Sequence, residues 1–159
     1  MKPTFFDEVR KNGTKMEKLL LERVEQAIVN VRDNVSTHLH EMIGFKGEWT
    51  GEKSFQFETE VTPFLWNLNQ AVHGGVIAYI ADTTMGFLVY SLLPPGKMSV
   101  TSEMKINYIR AVHKGKLRTR AELLHLGKRT AVAECRLYDG DRQLVAVANA
   151  SFAILDQKI

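Results

Sequence analysis

The stretch 67-NLNQAVHGGVIAYIADTTMGFLVYSLL-93 decides how this chain reads. From Val76 to Leu93 it runs for 18 residues almost without a polar side chain, close to the length that spans a bilayer. Asp82, Thr83, Thr84 and Gly86 interrupt its middle. A central Asp costs roughly 3 kcal/mol on membrane-insertion scales, and no cluster of Lys and Arg flanks the segment. A helix that is apolar all round also belongs in the middle of a globular core. The segment therefore reads as a buried helix, ended by Pro94-Pro95-Gly96, and no membrane partner is expected.

On either side of it the hydrophobic period changes to two. Before it, Phe55, Phe57, Thr59 and Val61 alternate with Gln56, Glu58 and Glu60, which predicts a strand. After it, strand-like runs fall at about 99–110, 116–126, 129–138 and 143–155. In the first, Val100, Met104, Ile106 and Tyr108 alternate with Thr101, Glu103, Lys105 and Asn107. The separators are His113-Lys114-Gly115, Gly127-Lys128 and the hairpin signal Asp139-Gly140-Asp141. Gly44, Gly47 and Gly51 mark a loop. Gly51-Glu52-Lys53-Ser54 is not a phosphate-binding loop, because Glu52 stands where that motif needs glycine and a strand follows. Residues 4–43 read as helical. Thr14 with Glu17 forms a capping box, and Met16, Leu20, Val24, Ala27, Ile28 and Val31 follow as an amphipathic stripe. The expected organisation is a helical extension over 1–45 and a domain over 46–159. One strand, a long helix and a four-strand meander predict an α+β fold with an antiparallel sheet wrapped on the helix.

Composition sets the frame for function. The chain has 159 residues, 45% apolar and 25% charged, as in an ordinary globular domain. Cys135 is its one cysteine, so no disulfide forms within it, and the first residues lack the apolar core of a secretory signal. A reducing, cytoplasmic location is expected. Net charge is +3, unevenly spread: Gly96–Arg129 holds nine Lys or Arg against two Glu. Such a block serves nucleic acid, an acidic surface or a phosphorylated ligand, or is simply a solvated sheet face. The first 45 residues balance seven basic against seven acidic side chains, which argues against a nucleic-acid-binding arm.

Two features of the central helix point to chemistry. Gly74 and Gly75 stand at its start, where N–H groups lack helical partners and the dipole favours negative charge. Glycine lets an anion or a developing oxyanion approach those groups. A plain tight turn is the other reading. Asp82 is either a working carboxylate or a buried acid satisfied by Thr83 or Thr84. Eight residues separate Gly74 from Asp82, about 12 Å and about 80° beyond two full turns. One carbonyl group cannot touch both on the same helix. A single site using both draws them from two chains, which predicts a symmetric oligomer.

These residues resemble the hotdog-fold acyl-CoA thioesterases, specifically the phenylacetate-degradation (PaaI-like) type of the 4-hydroxybenzoyl-CoA thioesterase superfamily. The likeness is carried by Asn67, then His73-Gly74-Gly75, then Ala81-Asp82. It continues through Thr101–Tyr108, Leu126-Gly127-Lys128-Arg129 and Asp139-Gly140-Asp141. It covers roughly residues 54–155. The resemblance implies a long helix wrapped by a sheet, and dimers or tetramers with shared active sites. It implies Asp82 as general base or nucleophile, the Gly74 N–H as the donor that polarises the thioester carbonyl, and Asn67 beside the thioester and the attacking water. It implies Thr101 as a residue that holds that water and His73 as a positioning residue at the helix start. It gives Gly75, counted with the substrate-binding residues, a role in close packing. Many family members carry glycine three residues before the His, where this chain has Gln70.

The expected reaction is hydrolysis of an acyl-CoA thioester to free acid and CoA, with no metal and no cofactor beyond the CoA of the substrate. Lys128 and Arg129, with Arg110, are the candidates for contacts to CoA phosphates. His38-Leu39-His40-Glu41 lacks a matching ligand cluster and reads as surface. No Gly-x-Ser-x-Gly elbow occurs around Ser102 or elsewhere. Cys135 alternates with Ala133 and Leu137 as a small core residue. The alternative from another class is a non-catalytic acyl-CoA binding or sensing module on the same fold. A dehydratase of this fold is disfavoured, because the spacing does not set His73 beside Asp82 in one chain.

Overall fold

The helix-start signals near the N-terminus fold as read. In the computed structural model, which describes residues 4–34 and 36–157, Thr14 Oγ1 accepts from Glu17 N while Glu17 Oε2 accepts from Thr14 N at 2.7 Å. This box opens α2, Lys15–Asp33. Thr4 and Asp7 make the same reciprocal bonds ahead of α1, Phe5–Asn12. A short α3, His38–Ile43, ends at Gly44 in the left-handed region, φ 75°. The expected helical stretch 4–43 is thus three helices; Val35 within it lies outside the described residues. These helices form one compact unit, Met1–Phe45, and Lys46–Ile159 forms a second.

The second unit is a six-stranded antiparallel sheet around α4, Gly74–Ser91. The strands are β1 Lys46–Gly51, β2 Ser54–Glu60, β3 Lys97–Tyr108, β4 Lys116–Leu126, β5 Thr130–Tyr138 and β6 Leu144–Asp156. Their order is β1-β2-β4-β5-β6-β3. Two expectations need correction here. The glycines at 47 and 51 lie in a strand, β1, not in a loop. Every residue of β1 is exposed, so no apolar alternation betrays it. Gly47 fits there because a Cβ would come within 2.7 Å of the rings of Phe55 and Phe57. The last four strands are also not a meander. β4, β5 and β6 are, but β3 pairs with β6 at the sheet edge, Thr101 opposite Phe152 and Tyr108 opposite Ala146. The 109–115 connection crosses back to β4, held by Ile109 N–H and Arg110 N–H on the Val145 carbonyl and by Val72 N–H on that of Val112.

The sheet can wrap α4 closely because small residues sit at the middle of its inner face, between larger ones such as Phe57, Leu117, Leu137 and Phe152. Ala121, Ala133, Cys135, Ala148 and Ala150 are buried beneath Ile80, Met85 and Leu88 of the helix, and short side chains let the two layers approach. One polar pin fixes the register between them. Phe57 N–H donates to Thr119 Oγ1 at 2.9 Å, and Thr84 Oγ1 of α4 lies 2.9 Å from that same oxygen while donating to the Ile80 carbonyl. Cys135 is fully buried, and burial pushes its thiol up to about 12.

α4 itself is not enclosed on all sides, contrary to the expectation of a helix apolar all round in the middle of the core. Ile77, Ile80, Ala81, Thr84, Met85, Leu88 and Val89 are buried against the sheet. The opposite face is not covered: Tyr90 is 53% exposed, while Phe87, at the edge of that face, packs its ring on Phe55 and Phe57 of β2. A single chain therefore buries half of this helix, and Asp82 stands at the border of the open half, part-exposed rather than enclosed. Among the described residues no helix is long and apolar enough to cross a membrane.

Candidate active site

Asp82 accepts a hydrogen bond from the Thr101 hydroxyl, 2.8 Å from its Oδ1. The neighbouring Thr83 and Thr84 do not satisfy it: the Thr84 hydroxyl is spent inside the core on Ile80 and Thr119. Thr101 reaches Asp82 because a β-bulge falls between Thr101 and Glu103, and bulges re-aim side chains. The carboxylate is thus tied to the edge strand of the sheet and keeps its second oxygen for other partners.

The other cluster gathers at the start of α4. His73 is the N-cap, and its Nδ1 accepts from Gly75 N–H at 3.0 Å. The His73 carbonyl takes the N–H groups of Val76 and Ile77. Among the described residues the Gly74 N–H meets no acceptor. His73 therefore shapes the helix start and leaves one donor free. Tyr108, at the end of β3, donates its hydroxyl to the Gly74 carbonyl at 3.0 Å. A Cβ on Gly74 would meet the Tyr108 ring at 3.5 Å, an ordinary contact, so the glycine is not required for space within this chain.

The loop before His73 is held by Asn67. Its Oδ1 accepts from Asn69 N–H at 2.8 Å and Ala71 N–H at 3.3 Å, an arrangement typical of Asn in turns. Its amide nitrogen has no acceptor among the described residues and stays available. Gln70 has φ 58°, the left-handed region that glycine enters freely. Here the conformation is kept by backbone bonds: Gln70 N–H to the Asn67 carbonyl, and the Gln70 carbonyl to His113 Nδ1 at 3.0 Å.

The model of the family described as "Thioesterase superfamily" matches residues 69–146. The conserved protein PA5202 of Pseudomonas aeruginosa is 34% identical, with a TM-score of 0.71, over 79% of this chain and all of that one. This chain belongs to the thioesterase superfamily. The BH2602 protein of Bacillus halodurans, solved with CoA, is 28% identical with a TM-score of 0.83, over 94% of this chain and 97% of that one. The proofreading thioesterase EntH of Cronobacter sakazakii is 31% identical over 84 residues, 53% of this chain and 61% of EntH. The chain spans about three fifths of the length of most curated relatives that it matches. The sheet-wrapped helix is the hotdog fold of this superfamily.

Within one superfamily chain the sequence-predicted residues form separate groups. Asp82 and Thr101 meet; Asn67, His73, Gly74 and Gly75 gather about 12 Å away along α4. Lys128 and Arg129 are exposed in the β4–β5 turn, near the Thr101 end of the sheet by the register Thr130–Ala153–Val100. Arg110 lies beyond the opposite end of β3, nine residues from Thr101, about 30 Å along a strand. Sequence reading overlooked Tyr108 and His113. Tyr108 is legible only as an apolar member of an alternating strand, and nothing in spacing tells where its hydroxyl reaches.

Proposed function

We propose that the protein hydrolyses an acyl-CoA thioester to free acid and CoA, in sites shared between two copies of the chain. The observation that carries this reading is that one helix presents both a held carboxylate, Asp82 on Thr101, and, two turns earlier, a free helix-start donor, the Gly74 N–H. Water attacks the thioester carbonyl as Asp82 takes its proton. The carbonyl oxygen, gaining negative charge, accepts from Gly74 N–H, whose helix-end position favours it. The C–S bond breaks and the CoA sulfur takes the proton. If Asp82 is instead the nucleophile, it forms an acyl anhydride that water then opens to the same products. His73 positions the helix start, Thr101 aims the carboxylate and the water, and Asn67 offers its free amide N–H.

The shared site follows from β3. It is a long edge strand with one side unpaired, and Val100, Tyr108 and Ile109 around it are exposed, as is Tyr90 on α4. An open apolar edge of this length invites pairing. Tyr108 marks the Gly74 start of α4 and Thr101 the Asp82 position at its middle. Antiparallel pairing of β3 with β3 of a second copy, Thr101 of one opposite Tyr108 of the other, carries Asp82 of each toward Gly74 of its partner. Lys128, Arg129 and Arg110, far apart in one chain, are assigned to CoA phosphates across that pair, and Gly75 to close packing beside the substrate.

The CoA held by the BH2602 protein and the name of EntH support a thioester substrate. The His73-Gly74-Gly75 to Asp82 spacing supports the PaaI-like type, and the single buried cysteine suits a reducing cytoplasm. Free-thiol release from a panel of acyl-CoAs, compared between wild type and Asp82→Asn, tests the reading. Turnover lost in a folded Asp82→Asn supports it. Acyl-CoA binding with no turnover in either protein contradicts it and makes the chain a binding module.

A further inference from the structure

The outer face of the sheet, turned away from α4, carries an arginine-lined hollow that thioester hydrolysis does not use. Along β4, Leu117, Thr119 and Ala121 are buried toward the core, so Arg118 and Arg120 stand on the other face. Arg118 is opposite Tyr138 of β5, and Arg120 is opposite Arg136. Arg118, Arg120 and Tyr138, with Gln56 of β2 and Arg142 of the β5–β6 hairpin, line an open hollow of about 510 Å³, and Thr119 forms part of its floor. None of these lining residues is acidic.

The nearby acids orient the arginines rather than fill the hollow. Glu58 accepts from Arg118 Nε at 2.6 Å and from Lys116 Nζ at 2.5 Å; Glu122 lies 3.2 Å from Arg120 Nε. Each carboxylate holds its guanidinium by the inner nitrogen. The terminal nitrogens, the pair that grips an oxyanion two-pronged, are left free. Arg136 is drawn to Glu134 at 3.2 Å. In the hairpin, Asp139 Oδ1 is taken by the N–H groups of Asp141 and Gln143, while Asp141 is exposed. The Arg142 guanidinium meets no acceptor among the described residues. Its backbone holds φ 61°, uncommon for a residue with a side chain, and that conformation delivers the side chain to the hollow. Arg120 stands directly opposite Arg136, each offset by its own carboxylate, Glu122 and Glu134.

We propose that this hollow binds a phosphate-bearing small molecule of nucleotide size, at a site separate from the thioester centre. Three guanidinium groups with free terminal nitrogens match phosphate oxygens, and the Tyr138 hydroxyl adds a neutral hydrogen-bonding partner, while the Gln56 amide donates to Glu48 at the rim. The volume falls in the range of small-molecule sites. The sheet stands between the hollow and Asp82, so the ligand is not the reacting thioester. Its chemistry is that of a nucleoside carrying two phosphates, supplied by a free nucleotide or by the nucleotide end of a CoA molecule.

Calorimetric titration of the full chain with ADP, 3′,5′-ADP, pyrophosphate and uncharged adenosine tests this. The phosphorylated probes bind saturably and adenosine does not. Arg120→Ala and the exposed Arg142→Gln each weaken binding roughly tenfold or more with an unchanged circular dichroism spectrum, and Asp82→Asn leaves it unaltered. Tighter binding of 3′,5′-ADP than of ADP assigns the site to the CoA end; the reverse order assigns it to a free nucleotide. Absence of saturable binding, or binding undiminished in the double variant Arg120→Ala/Arg142→Gln, overturns the proposal. So does a double variant that shifts the oligomeric mass while the wild type binds none of the probes, since the patch is then a contact between copies.

Discussion

The Thr101 hydroxyl donates to Asp82 across 2.8 Å, tying the one acid of an apolar helix to the edge strand of its sheet. If that bond aims the carboxylate, Thr101→Ala lowers kcat by about 10- to 100-fold, in the range of one misplaced catalytic hydrogen bond. Thr101→Ser keeps the hydroxyl and most of the activity. Thiol-release kinetics of the two variants check this; equal rates for Ala and wild type contradict it.

Gly74→Pro isolates one hydrogen. Proline is favoured at the first helical position, the preceding His73 has φ −61° and ψ 134°, which proline accepts, and the added Cβ has room beside Tyr108. The variant is expected to fold with little change in melting temperature. Removing an oxyanion donor costs about 10²–10³ in kcat, so turnover falls while acyl-CoA still binds. Unchanged kcat removes the Gly74 N–H from the mechanism.

Gln70 occupies a left-handed backbone position that costs a side-chain-bearing residue roughly 1–2 kcal/mol. Part of this is offset by the larger entropy that glycine loses on folding, about 0.5–1 kcal/mol. Gln70→Gly is expected to raise the melting temperature by about 2–4 °C without loss of activity, because the bonds to Asn67 and His113 are made by backbone atoms. A lower melting temperature would mean that the Gln70 side chain holds the loop.

That residue also shows what the sequence yields and what it withholds. The change from glycine to Gln70 marks an unusual position, but only the dihedral angle tells why. The long apolar helix and the alternating strands of β3 to β6 are legible because each has an apolar face to bury. β1 is not, since an edge strand exposed at every residue carries no period. Hydrophobicity likewise cannot tell a helix face covered by its own sheet from one left open, which is how α4 comes to be half bare. The Asp82 and Gly74 spacing is readable from helix geometry alone. The hydroxyls of Thr101 and Tyr108 that attend each end depend on strand order and a bulge, and these are tertiary facts.

Glu58 ties β2 to β4 through Lys116 and Arg118, and those hydrogen bonds hold its carboxyl below the usual carboxylate value. A carboxyl lowered in the folded state contributes stability above its unfolded value, near 4.5, and loses it as pH falls through the folded one. Glu58→Gln is therefore expected to melt below wild type at neutral pH, with the gap closing as the pH drops below about 4. Melting curves from pH 7 to pH 3 check the sign; a gap that widens in acid contradicts it.

The most direct test of the shared site is complementation between two inactive chains. Asp82→Asn and Gly74→Pro, co-expressed with different tags and purified as the mixed dimer, give one site with both defects and one with neither. The account predicts turnover of about half the wild-type value per dimer from two variants that are each inactive alone. A folded mixed dimer without activity would place Asp82 and the Gly74 N–H in separate sites and contradict it.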